Sequence, residues 1–196
     1  MTGEGSAPMV RDSGPADAPP SADASSTDTN PEVDGSRAAD ARQVADAAAT
    51  YTMNVTFYGW DDNSPVGNEI AYPYGEGFPT VHSVAGGTGS YSDPLTMATD
   101  SAELAVGTLV YMSFAQKYAV MEDDCVECDS DWSTSGVRHI DVWMNSDGTE
   151  SASALSACES QWTNPSASVE VNPPENLSVN LSPLFTPTTN RCASVP

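Results

Sequence analysis

Residues 97–144 read MATDSAELAVGTLVYMSFAQKYAVMEDDCVECDSDWSTSGVRHIDVWM. Short β-type segments alternate here with acidic points at Asp100, at Glu122-Asp123-Asp124 and at Asp141. Leu109-Val110-Tyr111-Met112 follows a Gly107-Thr108 turn, and Tyr118-Ala119-Val120-Met121 runs directly into the acidic cluster. Ile140-Asp141-Val142-Trp143 alternates, so Ile140 and Val142 share one face of a strand while Asp141 and Trp143 share the other. An aspartate in mid-strand opposes β propensity. A sequence that breaks a local rule at one position often marks a functional or strained site.

Upstream, Thr52 to Tyr58 alternates and is rich in β formers, which predicts a strand. It leads into Gly59-Trp60-Asp61-Asp62-Asn63-Ser64-Pro65, a turn-rich loop carrying two acids. Residues 71–90 hold Pro73, Pro79 and several glycines and read as loops around one short segment, Thr80–Val84. The run Ala85 to Pro94 is a permissive glycine-rich loop, with neither the lysine nor the helix of a phosphate-binding loop. Downstream, Ser151 to Gln161 predicts a helix with Ala154, Leu155, Cys158 and Trp162 near one face. The tail from Thr163 is rich in Pro, Ser and Asn. It alternates at Ser168–Val171 and Leu177–Leu181, which predicts an extended arm over 163–196 pinned by Cys192. Residues 1–48 are Ala, Ser, Asp, Pro and Gly with almost no apolar content, a composition that cannot offset its ordering entropy. They are read as a disordered acidic linker, with a weak helix over 38–49.

The chain has 196 residues, which fits one domain with tails. Lys and Arg number 6 against 28 Asp and Glu, a net charge of −22. Phosphate backbones need basic partners, so nucleic acid is excluded and anionic membrane surfaces are disfavoured. No apolar run is long enough to span a bilayer. The charge fits the solvated surface of a secreted, monomeric protein and is compatible with neutral glycans. Cys125, Cys128, Cys158 and Cys192 imply two disulfides in an oxidising compartment, with the pairing open. Zinc at Cys125-x-x-Cys128 would need partners from His82, His139, Cys158 or Cys192, and no second CxxC or HxxxH supplies them. No metal and no cofactor is expected. Asn54, Asn176 and Asn180 lie in glycosylation sequons.

The 97–144 stretch resembles the three-aspartate (3D) domain, a double-psi β-barrel module also found in lytic transglycosylase A. The matching blocks are Asp100, Gly107-Thr108-Leu109-Val110-Tyr111, Tyr118-Ala119-Val120-Met121-Glu122-Asp123 and Ile140-Asp141-Val142. The short glycine-rich link of that family is replaced here by Cys125-Val126-Glu127-Cys128 and Trp132. Thr56-Phe57-Tyr58-Gly59 is similar to the opening of expansins and of family 45 endoglucanases. His139-Ile140-Asp141 is similar to their His-Phe-Asp motif, which carries the general acid of the endoglucanases. The resemblance implies an all-β fold, a six-stranded double-psi β-barrel over residues 51–162.

It further implies a secreted or envelope protein that cleaves a β-1,4-linked polysaccharide, peptidoglycan or a cellulose-like chain. Asp141 is expected as general acid, beside apolar neighbours that raise its pKa. Asp123, Asp124 and Asp100 are expected near it, and Asp61 or Asp62 as a base in a hydrolytic reaction. Tyr58, Trp60, Tyr91, Asp93, Trp132, His139 and Trp143 are candidate substrate contacts, the aromatic rings as platforms for sugar faces. Glu122, Asp124, Glu127, Asp129 and Asp131 otherwise read as solvated surface. The rival expectation is a non-catalytic, expansin-like binding or wall-loosening module.

Overall fold

A computed structural model describes residues 48–195. All but the last residue of the linker expected over residues 1–48 lies outside the described residues, as does most of the weak helix at 38–49, whose Ala49 belongs to a strand. Six strands, β1 (Ala49–Tyr58), β2 (Leu95–Ala98), β3 (Leu109–Met112), β4 (Lys117–Asp123), β5 (His139–Trp143) and β6 (Asn164–Val171), close into a barrel. Around the barrel their order is β1-β5-β2-β4-β3-β6. β1 runs parallel to β5, and β2 runs parallel to β4. The other neighbours are antiparallel. Two helices, α1 (Val126–Ser135) and α2 (Ala152–Trp162), and a small sheet of β7 (Phe185–Thr186) and β8 (Arg191–Cys192) complete the architecture. Closure leaves the barrel without exposed strand edges. None of the helices among the described residues is long and apolar enough to cross a membrane.

The period of two decides which residues meet. Met53, Val55 and Phe57 of β1 join Met97, Val110, Met112, Met121, Ile140, Val142 and Val169 in the main core. The intervening positions of β1 and β5 turn the other way, where Tyr58 and Trp143 form a second cluster with Ala98, Cys125 and Cys128. Methionine recurs in the main core because its unbranched thioether fills irregular space between strands. α2 lies against β1, and the Phe57 and Trp162 rings sit 6.2 Å apart.

Two glycines of the quoted motifs are required by geometry. Gly59 ends β1 under α2, where a Cβ would come within 2.6 Å of Ser146 Oγ and 2.7 Å of Leu155 Cδ2. Gly107 has φ +84 and its N–H donates to the Met121 carbonyl at 2.8 Å. A side chain there would run into the Pro79 carbonyl.

Both disulfides form, Cys125–Cys128 at the head of α1 and Cys158–Cys192 between α2 and β8. The expected helix over 151–161 is present one residue later. Two expectations are corrected. The barrel does not stop at residue 162, because β6 supplies its sixth strand and pairs with both β1 and β3. Leu177–Leu181, expected in a strand-like arm, forms no strand. The segment after Cys125 is a helix: its N-cap is Cys125, whose Sγ accepts from Cys128 N–H, and Gly136 closes it at φ 64. Glu127 and Asp129 in its first turn complement the helix dipole.

Candidate functional site

The outer faces of β1, β5, β2 and β4 build the floor of one cavity. Thr56 is the register partner of Asp141, and Tyr58 of Trp143, along the parallel pair. Ala98 pairs with Asp141 on one side and with Asp123 on the other. The two aspartates therefore stand two strand spacings apart, roughly 10 Å between Cα atoms, with only an alanine methyl between them. That small side chain leaves the floor open. The cavity encloses about 590 Å³. Tyr58, Ala98, Asp123 and Asp141 form its floor, the loop segments Asp62–Pro65 and Glu69–Ala71 one wall, and Asp124–Glu127 at the head of α1 the other.

Asp141 is partly buried in this floor. Its Oδ1 accepts the Thr56 hydroxyl at 2.8 Å. Burial pushes its carboxyl up to about 7, and the charges of Asp62 and Glu127 push the same way while the Thr56 bond opposes them. A carboxylic acid that keeps its proton near neutrality can donate it to a leaving group. Asp123 is tied differently. It accepts from Tyr58 Oη at 2.8 Å, from Ala71 N at 2.9 Å and from Asp124 N at 2.9 Å. Burial raises its carboxyl and these bonds oppose the rise. Asp123 thus clamps the cavity loop and orients Tyr58, whose ring meets Trp143 edge-on at 5.2 Å.

Asp62 stands at the mouth, accepts Gly59 N–H at 2.7 Å, and is raised first by desolvation. Asp124 lines the wall and is exposed; Asp61 is exposed and outside the lining. Asp100 is also outside it and accepts the Ala102 N–H at 2.6 Å, holding the turn after β2. Among the expected aromatic contacts only Tyr58 lines the cavity. Trp143, 1% exposed, is core and no platform. The Trp60 indole lies over Gly148, Tyr91 stands edge-on to Tyr118, and Trp132 lies under the Arg138 guanidinium. Asp93 serves His82, and His139 is buried beside the floor.

The structure buries two acids that the sequence pattern does not mark. Glu122 is no surface residue. It is 0% exposed and accepts from Val81 N, His82 N, His82 Nδ1 and Thr96 Oγ1 at 2.6, 2.8, 2.7 and 3.1 Å. Its signal lay forty residues away, in the loop it holds. Glu159 of α2 was passed over. It is buried, its Oε1 has no partner, and burial pushes it up to about 8, with Asp62 and Asp141 adding to the rise. Only a helical wheel combined with the barrel's position reveals it.

The family model described as DDB_G0273701 N-terminal domain matches residues 50–193, a span that holds every site residue above and both disulfides. A protein of Dictyostelium discoideum described as uncharacterised, DDB_G0273701/DDB_G0273221, is 36% identical over 145 residues, 74% of this chain and 61% of its own length. The chain thus spans about three fifths of that relative. No solved structure matches the chain. The match over the whole barrel and this identity place the chain in a family: it belongs to the DDB_G0273701 N-terminal domain family.

Proposed function

We propose that this chain is a secreted protein that cleaves a β-1,4-linked polysaccharide on a barrel of double-psi type, with Asp141 as general acid. One observation carries the reading. A strand-held carboxyl group that keeps its proton up to about 7 opens onto a cavity of about 590 Å³, within the usual range for ligand sites. Glycosidic cleavage requires such a protonated acid at the leaving oxygen. Parallel pairing of β1 with β5 and of β2 with β4 inside one closed six-stranded barrel supports the double-psi assignment. Two disulfides support passage through an oxidising compartment.

The second carboxylate of a hydrolytic pair is Asp62, whose charge Asp141 feels most among its acidic neighbours. Asp123, held by three donors, positions Tyr58 and the loop. The lining carries the carboxylates of Asp62, Glu69, Asp123, Asp124, Glu127 and Asp141 and no Lys, Arg or His. Like charges repel, so an uncharged, cellulose-like chain suits this cavity better than peptidoglycan, which carries carboxylates of its own. The expansin-like alternative rests on one observation: Asp123 is fully engaged, which leaves Asp141 without a free partner on the floor.

Incubation with a cellulose-like glucan and with purified peptidoglycan, products read by mass spectrometry, tests the reading. Shortened neutral oligosaccharides from the wild type, absent with Asp141→Asn, are the expected result. Binding without products transfers the function to the expansin-like alternative.

A further inference from the structure

Thr56 has one hydroxyl hydrogen and two close neighbours. Its Oγ1 lies 2.8 Å from Asp141 Oδ1 and 2.9 Å from His139 Nε2. The other ring nitrogen, Nδ1, lies 2.9 Å from Asp131 Oδ2 on α1. The four groups form a chain along the outer face of β1 and β5, from the cavity floor to a carboxylate of α1 at the surface. His139 is nearly sealed, with a side chain 7% exposed, while that of Asp131 is 42% exposed.

Counting hydrogens along the chain decides what it does. With Asp141 ionised and His139 neutral, Thr56 spends its hydrogen on Asp141. Its oxygen then faces a bare Nε2 lone pair, or, in the other tautomer, Nδ1 faces Asp131 bare. Either arrangement sets two acceptors together at about 2.9 Å, a contact that hydrogen bonding does not sustain. One extra proton removes the conflict, and two of its homes are the floor acid and the imidazole. On Asp141, the carboxyl O–H donates to Thr56, Thr56 donates to Nε2, and Nδ1–H donates to Asp131. On His139, Nε2–H donates to Thr56, Thr56 donates to Asp141, and Nδ1–H again donates to Asp131. The two forms differ by a concerted shift: the Asp141 O–H bond breaks as the Thr56 oxygen gains its hydrogen, and the Thr56 O–H bond breaks as Nε2 gains its own. No electrons are transferred and the total charge is constant.

We propose that Thr56 joins Asp141 and His139 into a single unit holding one shared proton, anchored by Asp131, so that the acid on the cavity floor is re-protonated from its flank through the imidazole rather than through the cavity. The purpose of the unit rests on the general-acid reading of Asp141; the coupling itself does not. Thr56, His139 and Asp131 are positioning residues in this scheme. The groups facing it are Asp62 and Glu127 across the cavity, Glu159 on α2, and Tyr58, whose phenol feels the Asp141 charge. On the imidazole side Glu103 accepts the His139 backbone N–H, and Arg138 pairs with Glu103. All these are present in the full chain that the test uses.

The test is a pH titration by NMR of the ¹³C-labelled Asp141 carboxyl and the ¹⁵N-labelled His139 ring, with no substrate. In the wild type both probes are expected to report the loss of the shared proton as one step with one common midpoint, distinct from the step at lower pH in which the pair takes up a second proton. Thr56→Val removes the bridging hydrogen and is expected to split the midpoint in two, whereas Thr56→Ser keeps the hydroxyl and a single midpoint. Asp131→Asn removes the anion behind the imidazole and is expected to lower the common midpoint, since the shared proton is then held less firmly. Separate midpoints in the wild type, or a Thr56→Val titration that overlays the wild type, overturns the proposal. If Thr56→Val does not fold, the wild-type and Asp131→Asn titrations still decide it. Coupled titration in a chain that cleaves no glycan keeps this inference and removes the enzymatic reading. Independent titration in an active enzyme does the reverse.

Discussion

Thr56 on β1 and Asp141 on β5 are register partners on parallel strands, and the Thr56 hydroxyl donates to Asp141 Oδ1 at 2.8 Å. A parallel pair fixes both side chains on one face at one level. The acid is therefore held by the barrel and not by a loop, so its chemistry and its structural role are separable by substitution.

Asp141→Asn keeps the shape and removes the transferable proton. Turnover on a polysaccharide substrate is expected to fall by roughly 10²–10⁴-fold. The melting temperature at neutral pH is expected to hold or rise, because the variant no longer ionises a desolvated carboxyl. Activity and thermal unfolding measured on one preparation check both halves, and unchanged turnover removes Asp141 from the mechanism.

Stability is expected to fall as pH rises from about 4 to about 8. Asp141 and Glu159 have folded-state values raised to about 7 and about 8, above the ordinary 3.8 and 4.5. The native state binds more protons than the unfolded chain in that window, so it loses stability as they leave. His82, raised by its bonds to Glu122 and then Asp93 against the opposing effect of burial, acts in the same direction: its contribution is full below about 6.5 and is lost as pH climbs through its folded value. Glu159→Gln should flatten the curve of melting temperature against pH, most clearly above neutrality. An identical curve excludes Glu159 as a source.

Glu122→Ala leaves the Val81 and His82 amides, the His82 ring and the Thr96 hydroxyl without their buried acceptor. Breaking a buried charged pair costs about 3–5 kcal/mol. Urea denaturation should report a loss of that size. Hydrogen exchange should show the 71–93 loop opening ahead of the barrel strands.

Gly59→Ala drives a methyl into Ser146 Oγ and Leu155. Overpacking of this kind costs roughly 1–3 kcal/mol. The Leu155→Ala change opens space at the same point, so the double variant should lose less than the sum of the two single losses in chemical unfolding.

The strands that alternate were legible. Ile140-Asp141-Val142-Trp143 announced both its core face and its acid, and Leu109–Met112 has the bounds expected of it. β2 was silent because all four of its residues, Leu95 to Ala98, are buried, and a run buried on both faces has no period to read. β6 was read as an arm because Asn164, Pro165 and Ser166 open it, although Ala167, Val169 and Val171 point inward. α1 buries only Cys128, so it carries no apolar stripe. In the site, Asp123 and Asp141 line one cavity with Tyr58, but Trp60, Tyr91, Trp132 and Trp143 went elsewhere. Whether a ring is a platform or core depends on which strand lies beside it, and for Trp143 that strand brings Tyr58.

The Cys158–Cys192 bridge links positions 34 apart in sequence, and it makes the end of the chain behave as a tethered ligand. Leu184 and Phe185 fill the core at 1% and 0% exposure, yet they follow an exposed run around Leu181, Ser182 and Pro183. A protease that cuts this run would release the segment carrying both residues if the bridge were absent. With it, the cut molecule stays whole, and the docked segment keeps the high local concentration of an intramolecular partner. The ring closed by the bridge contributes roughly 4 kcal/mol by the loop-entropy relation. Nicked protein should therefore remain folded and migrate as one band until a reductant is added, when the core loses its plug and the barrel its melting transition together.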